Sequence, residues 1–211
     1  MSLPSHRVRL LLADDHPLVI DGLAALARSS PQLEVIATAR GGRQAVELCL
    51  RHQPDVTLMD LGMGDMDGVS AISEIRRTIP DAKVLVFTIR LGDEDVRRAL
   101  EAGARGYLLK SAPWTTVVEA ISAVARGLRW VSPEAASALT ESVGLSPLTP
   151  RERQVLETLA TGASNSEISE ALSISEPTVK AHVTSILAKL GVEDRSKAMV
   201  VALKRGLVHL D

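Results

Sequence analysis

Short apolar runs alternate with segments of helical periodicity over the first 127 residues of the chain. The runs contain few polar positions, which is typical of strands that are buried on both faces. Strands that alternate with helices predict a parallel sheet joined by right-handed crossovers. We therefore predict a doubly wound α/β fold with five parallel strands, at Val8–Ala13, Leu33–Ala39, Val56–Asp60, Lys83–Thr88 and Gly106–Lys110.

The alternation stops after Gly127. Trp130–Pro133 is interpreted as a break, and residues 134–141 predict one short helix. Ser142–Pro147 is small and polar, as flexible linkers are. The organisation predicted from these changes is a first domain at 6–127, a linker segment at 128–147 and a second domain at 148–211.

From Leu148 onward there is no strand pattern, and four helical segments follow. The first begins at Thr149, with Pro150 in the first helical position and Glu152 placed to complete a capping box. Four short helices in about 60 residues predict a small all-α domain.

Composition indicates an aliphatic core, because 45% of residues are hydrophobic and only 2% are aromatic. In the first helix, for example, Leu23 and Leu26 are predicted to face inward. Cys49 is the only cysteine, which excludes an internal disulfide and fits a reducing compartment. Neither a membrane-spanning run nor a signal peptide is evident, so we expect a cytoplasmic protein with no membrane partner.

Carboxylates follow two of the predicted strands. Asp14 and Asp15 come directly after the first strand, and Asp60 ends the third. Ligands bind beyond the carboxyl ends of strands in open α/β sheets. If the two strands are neighbours, three like charges converge, and a proton or a metal ion is the usual remedy. Oxygen ligands of this kind favour Mg²⁺.

The first domain resembles the receiver domain of bacterial two-component response regulators, which has a flavodoxin-like fold. The resemblance rests on side chains of the right type at four strand ends in the right order, namely Asp14, Asp15, Asp60, Thr88 and Lys110. It implies that Asp60 accepts a phosphoryl group from a sensor histidine kinase.

The resemblance also implies roles for the neighbouring groups. Mg²⁺ would be held by Asp14, Asp15, Asp60 and the backbone carbonyl of Gly62.

Lys110 would pair with the phosphate, and the Thr88 hydroxyl would bond a phosphate oxygen. Thr88 would then shift and Tyr107 would turn inward, which makes these two residues a switch. Taken alone, Tyr107 is more often a half-buried packing residue with a wet hydroxyl.

The second domain resembles a LuxR-type helix-turn-helix. The matching stretches are Leu148–Glu152, Ile168 and Leu172, Thr178–Val183, and Lys189–Val192. Together the two domains are similar to the NarL/FixJ subfamily of response regulators, which are phosphorylation-controlled transcription factors. This resemblance implies that the protein binds double-stranded DNA and forms a homodimer on activation. In this subfamily the final helix commonly supplies the dimer contact.

In a helix-turn-helix the second helix lies in the major groove. Val179, Val183, Ile186 and Leu190 form its inward stripe, so Lys180, Ala181 and Thr184 project outward together. Lys180 can donate to guanine, and Ala181 and Thr184 can touch thymine methyl groups. Ser175 and Thr178 are better placed for phosphates, and His182 for phosphate or packing. A solvated helix face is the competing interpretation for Lys180 and Thr184.

The charge balance predicts weak binding by one domain. Residues 148–211 hold eight Lys/Arg and eight Asp/Glu, whereas phosphate binding normally rests on a basic surface. Dimerisation on two half-sites would compensate. Met199, Val200 and Leu203 of the final helix are candidate dimer contacts, or else they cover the core of their own domain.

Three residues depart from the receiver pattern, namely Gly62, Gly64 and Ile89. Gly62 has no side chain to guide an attacking water, and Ile89 follows Thr88 at a position where the family commonly has a smaller residue. The family usually has proline at the position of Gly64, which predicts a looser loop after Asp60. The competing interpretation as a haloacid-dehalogenase-like phosphohydrolase needs a second Asp two residues after the nucleophile as general acid. That position holds Gly62 here, which argues against an enzyme. A phosphorylation-independent DNA-binding regulator with a vestigial receiver remains the alternative.

Overall fold

Six parallel strands form one sheet in the order β2-β1-β3-β4-β5-β6 in the computed structural model, which describes residues 7–141 and 146–209. The strands are β1 Val8–Ala13, β2 Leu33–Ala39, β3 Val56–Met59, β4 Val84–Thr88, β5 Gly106–Leu109 and β6 Trp130–Val131. Six helices accompany them, α1 Pro17–Arg28, α2 Gly42–His52, α3 Gly68–Thr78, α4 Asp93–Glu101, α5 Trp114–Ala125 and α6 Pro133–Glu141.

The α/β parallel sheet is confirmed, but the expected count of five strands is wrong. The sixth strand, Trp130–Val131, lies in the segment interpreted as a break and pairs in register with Gly106 and Tyr107 of β5. A strand of two residues is too short to carry a period-two pattern, so this strand has no signal in the sequence. The short helix predicted for 134–141 is confirmed as α6.

The order of the strands fixes where a ligand can bind. The chain passes from β1 outward to β2 and then returns to the other side of β1 as β3. The carboxyl ends of β1 and β3 therefore flank the point where the direction of winding reverses, which is the usual binding crevice of such sheets. Asp14 and Asp60 follow these two strands.

One face of the sheet packs against α1 and α5 through an aliphatic core. Ile20, Leu23 and Ala27 are the buried residues of α1. Leu23 faces inward as predicted, whereas the prediction for Leu26 is wrong, since it is 42% exposed. The buried stripe of α1 is centred on Ile20, Leu23 and Ala27, and Leu26 lies at the margin of this stripe.

The chain forms two compact units, of which the first contains the described residues within 7–90 and 96–136 and the second those within 91–95 and 137–209. The second unit contains α7 Pro150–Ala160, α8 Asn165–Leu172, α9 Glu176–Leu190 and α10 Arg195–Lys204. Residues 142–145 of the predicted linker lie outside the described part of the chain.

Helix starts in the second unit follow side-chain caps. Thr149 accepts from the Glu152 N–H, and Glu152 returns the bond, so the predicted capping box of α7 is confirmed. Ser164 and Glu167 form a second capping box at the start of α8, whereas Ser175 caps α9 only by accepting from the Thr178 N–H. Within the described residues, no helix combines the length and the apolar character needed to cross a bilayer.

Candidate functional site

Asp14 and Asp60 lie side by side because β1 and β3 are paired up to their last residues. Ala13 is in register with Met59, and the Asp60 N–H donates to the Ala13 carbonyl at 2.8 Å. Both carboxylates are buried, at 3% and 4% exposure. One possible ligand atom from each of Asp14, Asp15, His16 and Asp60 lies within 4.8 Å of all the others.

Lys110, which follows β5, bridges the two buried carboxylates. Its Nζ lies 2.7 Å from Asp14 Oδ2 and 2.7 Å from Asp60 Oδ2. Burial by itself would lower the pKa of Lys110, but the hydrogen bonds and charges of Asp14 and Asp60 outweigh burial and raise it above its ordinary value. The ammonium therefore stays charged and offsets part of the acidic cluster.

The donor set of this cluster fits Mg²⁺. Asp14, Asp15 and Asp60 carry three formal negative charges against one positive charge on Lys110, which leaves the balance that a divalent cation neutralises. All three ligands are hard carboxylate oxygens, which Mg²⁺ prefers. The carbonyl of Gly62 as a further ligand stays a prediction.

His16 also belongs to this cluster. Its Nδ1 lies 2.8 Å from Asp15 Oδ1 and 3.3 Å from Asp14 Oδ1, and its backbone N–H donates to Asp14 Oδ1. His16 also occupies the N-cap position of α1. It thus orients the acidic pair at the start of the helix.

Thr88 and Tyr107, the predicted switch residues, both contact the backbone of Arg90. The Arg90 N–H donates to Thr88 Oγ1 at 3.3 Å, and the Tyr107 hydroxyl donates to the Arg90 carbonyl at 2.9 Å. Both switch side chains are fully buried, so the half-buried interpretation of Tyr107 is wrong. Sequence reasoning missed Arg90, whose only signal is its place two residues after Thr88.

The loop between β3 and α3 is anchored by Asp65. Its carboxylate accepts from the Gly42 N–H at 2.8 Å and from the Arg43 N–H at 3.2 Å, at the start of α2. Desolvation alone would raise the pKa of Asp65, but these backbone donors outweigh it and lower the pKa. A Cβ on Gly42 would lie 2.3 Å from the Met66 carbonyl oxygen, so this close approach requires glycine.

Gly64, the departure from proline, lies within this anchored loop. A Cβ on Gly64 would meet no atom within 4 Å. Asp67 then caps α3 by accepting from the Ser70 N–H at 3.1 Å, which is the turn role that an isolated aspartate commonly has. The contacts of Asp65 and Asp67 therefore restrain the loop on the carboxyl side of Gly64.

In the second unit, α9 has the two faces that its pattern predicts. Val179, Ile186 and Leu190 are buried, and Val183 packs against the same cluster. On the other side, Lys180, Ala181 and Thr184 are exposed together.

The start of α9 presents two further candidates. Ser175 Oγ accepts from the Thr178 N–H and lies 2.8 Å from Thr178 Oγ1, so both exposed hydroxyls take part in the cap. His182 is half-buried, which leaves both of its predicted roles open. In α10, Met199 packs against the core of its own unit, whereas Val200 and Leu203 are 52% and 39% exposed.

Glu152 does more than cap α7, since it also fixes α7 to α9. Its carboxylate accepts from Ser185 Oγ at 2.6 Å and from Lys189 Nζ at 2.7 Å. Burial would raise the pKa of Glu152, but the donors Lys189, Ser185 and Thr149 outweigh burial and lower it to about 2. Sequence reasoning identified only the cap, because Glu152 and Lys189 are 37 residues apart.

Two family models match the chain. The model described as "Response regulator receiver domain" matches residues 10–122. The model described as "Bacterial regulatory proteins, luxR family" matches residues 146–202. The first therefore spans the sheet up to α5, and the second spans α7 to α9 and most of α10.

Characterised proteins are similar over nearly the whole length. The chain is 40% identical over 210 residues to the transcriptional regulatory protein LiaR of Bacillus subtilis, covering 96% of this chain and 100% of LiaR. It is 35% identical over 207 residues to the response regulator protein VraR of Staphylococcus aureus, covering 96% and 99%. A solved structure of RcsB from Salmonella enterica serovar Typhimurium, bound to promoter rprA in the presence of phosphomimetic BeF3⁻, matches with a TM-score of 0.64 and 25% identity, covering 93% of this chain and 98% of RcsB.

Proposed function

Because this chain belongs to the two-component response regulators of the NarL/FixJ subfamily, we propose that it is a DNA-binding transcription regulator controlled by phosphorylation of Asp60. A sensor histidine kinase supplies the phosphoryl group, and the activated chain binds double-stranded DNA as a homodimer. The observation that carries this proposal is the Lys110 bridge between the buried carboxylates of Asp14 and Asp60.

Asp60 is the nucleophile in this proposal. Its Oδ1 already accepts from the Leu61 N–H at 2.7 Å, which holds the plane of the carboxylate. An Asp60 oxygen attacks phosphorus, a P–O bond forms, and the bond from phosphorus to the imidazole nitrogen of the kinase histidine breaks. The product is an acyl phosphate, and the neutral imidazole leaves with the electron pair of the broken bond.

Lys110 and the acidic pair prepare this step. Mg²⁺, when it is bound by Asp14, Asp15 and Asp60, offsets charge on the phosphoryl oxygens. Lys110 is already within hydrogen-bonding distance of Asp60, so its ammonium can follow the charge from the carboxylate to the phosphoryl group. Catalytic hydrolysis of phosphate esters is not part of the proposed function, because Gly62 has no side chain that could act as general acid.

Thr88 and Tyr107 carry the signal away from Asp60. The present hydrogen bond to Thr88 Oγ1, at 3.3 Å, is long, and a charged phosphoryl oxygen is a stronger partner for the hydroxyl. A movement of Thr88 toward that oxygen changes its contact with Arg90, to which the Tyr107 hydroxyl is also bound. The three residues thus form a connected route from the phosphoryl group to the protein surface.

The DNA-binding part of the proposal rests on α9. Its exposed residues Lys180, Ala181 and Thr184 form the base-reading face, and Ser175, Thr178 and His182 contact phosphates near the start of the helix. RcsB, a similar protein, has been seen on promoter DNA with a phosphomimetic. Exposed Val200 and Leu203 on α10 are suited to a contact with a second copy on the neighbouring half-site.

Intact-protein mass spectrometry tests the phosphorylation directly. The chain is incubated with Mg²⁺ and acetyl phosphate, a small phosphoryl donor, and then with hydroxylamine, which cleaves acyl phosphates. We expect one added phosphoryl group that hydroxylamine removes and that Asp60→Asn does not acquire. An unmodified chain under these conditions would favour the phosphorylation-independent regulator instead.

A further inference from the structure

The guanidinium of Arg90 covers the backbone of Gly62, two residues beyond the proposed phosphoacceptor Asp60. A Cβ on Gly62 would lie 3.3 Å from Arg90 Nη2 and 3.7 Å from both Arg90 Cζ and Nε. Three atoms of the planar group therefore lie within 3.7 Å of the position that a Gly62 side chain would occupy. Gly62 has no side chain, and this leaves the space that the guanidinium fills.

The backbone of Arg90 is held by both switch residues. Thr88 accepts from its N–H and Tyr107 donates to its carbonyl. The side chain therefore starts from a fixed position at the end of β4, beside the phosphoacceptor loop.

The guanidinium of Arg90 is available to a ligand. Within residues 7–141 and 146–209, its nitrogens form no hydrogen bond or ion pair that meets ordinary distance criteria. Lys110, in contrast, is engaged by two carboxylates at once. A half-buried arginine without a carboxylate partner, placed beside the loop that follows Asp60, has donors to offer to an incoming anion.

A phosphoryl group on Asp60 brings new negative charge to a cluster that already holds three carboxylates. Its oxygens diverge from phosphorus, and one Lys110 ammonium, as a point charge, cannot face all of them. The planar fork of an arginine matches two oxygens of a phosphoryl group. Both the chemistry of the Arg90 guanidinium and its position therefore favour the phosphoryl group on Asp60 as its ligand.

We propose that Arg90 is a second cationic ligand of the phosphoryl group on Asp60, donating from its position over Gly62 to the phosphoryl oxygens. This inference rests on the proposed function of Asp60. It adds a direct contact to the switch, since the residue that binds the phosphoryl group also contacts Thr88 and Tyr107 through its backbone. Gly62 contributes by leaving room for the guanidinium.

The test measures binding of beryllofluoride, which mimics a phosphoryl group on a carboxylate, to the full chain in the presence of Mg²⁺. Fluorine NMR gives the bound fraction for wild type, Arg90→Met, Arg90→Lys and Asp60→Asn. Arg77→Met, a substitution at an exposed arginine of α3, is the matched control. Binding of Mg²⁺ alone is measured on the same proteins by calorimetry.

We expect Arg90→Met to weaken beryllofluoride binding roughly tenfold, as loss of a charge-assisted hydrogen bond does. Arg90→Lys keeps the positive charge but not the planar fork, so its beryllofluoride affinity should lie between those of wild type and Arg90→Met. Mg²⁺ affinity should be unchanged or slightly increased in Arg90→Met, because a positive charge near the carboxylates is removed. A merely structural role of Arg90 would instead weaken Mg²⁺ and beryllofluoride binding together.

A double-mutant cycle with Gly62→Ala gives a second readout. The added Cβ, at 3.3 Å from Nη2, displaces the guanidinium by a few tenths of an ångström, so beryllofluoride binding should weaken a few-fold. In the Arg90→Met background the same change should have no effect. Equal beryllofluoride affinity of wild type and Arg90→Met would overturn the role of Arg90 and leave the proposed function standing. Equal binding by wild type and Asp60→Asn, or none by wild type, would overturn the proposed function itself.

Discussion

The ammonium of Lys110 lies 2.7 Å from Asp60 Oδ2, joining the end of β5 to the end of β3. The same ammonium reaches Asp14 at 2.7 Å, so a single cation connects three strands. These contacts hold the Asp60 carboxylate in place and keep a positive charge beside it. We therefore expect the stability of the receiver unit to depend on Lys110.

Replacing Lys110 by methionine should lower the free energy of unfolding of the receiver unit by about 3 kcal/mol, because two buried carboxylates lose their partner. Mg²⁺ should restore part of this loss by offsetting the same charges. Urea unfolding with and without Mg²⁺ measures both effects. Lys204→Met, a substitution of an exposed lysine, should change nothing. A Lys110→Met protein as stable as wild type without Mg²⁺ would show that the bridge has no energetic role.

Gly42, at the start of α2, and Gly64, in the loop between β3 and α3, form a matched pair for substitution. Gly42→Ala should destabilise the receiver unit by about 2–3 kcal/mol, because its Cβ would lie 2.3 Å from the Met66 carbonyl oxygen. Gly64→Ala has open space and should change the free energy of unfolding by no more than about 0.5 kcal/mol. Chemical denaturation and Mg²⁺ titration compare the two variants. Equal effects of both substitutions would contradict the anchoring of the loop to α2.

Glu152 should make the LuxR-type unit sensitive to acid. Its pKa falls from 4.5 to about 2 on folding, so its stabilisation is complete above pH 4.5 and is lost as the pH falls through about 2. This shift corresponds to at most about 3 kcal/mol, which solvent screening reduces to about 1–2 kcal/mol.

Glu152→Gln isolates this contribution. The difference in unfolding free energy between wild type and Glu152→Gln should be largest near neutral pH and should shrink toward about pH 2. Glu157→Gln, at an exposed position of the same helix, should match wild type throughout. A difference that is independent of pH would mean that the carboxylate charge is not what Lys189 and Ser185 stabilise.

Lys180 is the strongest candidate for a direct DNA contact. Lys180→Ala should weaken binding by about 1–3 kcal/mol and relax the sequence preference if Lys180 contacts a base. If it contacts a phosphate, binding should weaken equally on all sequences and the salt dependence should become shallower. Electrophoretic mobility shifts on duplexes selected from a random pool distinguish these results. Lys197→Ala is the control, because that ammonium already pairs with Glu193 at 2.7 Å. Unchanged affinity of Lys180→Ala would assign Lys180 to a solvated face.

The sequence could predict that the acidic side chains of Asp14 and Asp60 and the lysine Lys110 lie at one end of the sheet, because each directly follows an apolar run. Asp14, Asp60 and Lys110 needed only the correct strand neighbours to meet, and parallel winding supplies these neighbours. The inward stripe and the exposed face of α9 were equally accessible, because helical periodicity separates them.

Other features depend on contacts that no local pattern records. β6 is two residues long, too short for a period, and Leu26 lies at the margin of a stripe whose centre only packing defines. Arg90 and Gly62 are neighbours only because two loops meet at the edge of the sheet. Glu152 combines both kinds of contact. Its cap with Thr149 is local and could be predicted from the sequence, whereas its contact with Lys189 is not local and could not.

Light scattering of the full chain, with and without beryllofluoride and Mg²⁺, is the most direct test of control by phosphorylation. We expect a mass near 22.5 kDa without the mimic and twice that mass with it, because we propose that a phosphoryl group on Asp60 promotes the dimer. Asp60→Ala should keep the lower mass under both conditions. A mass that does not respond to beryllofluoride, whether monomer or constitutive dimer, would contradict control by phosphorylation.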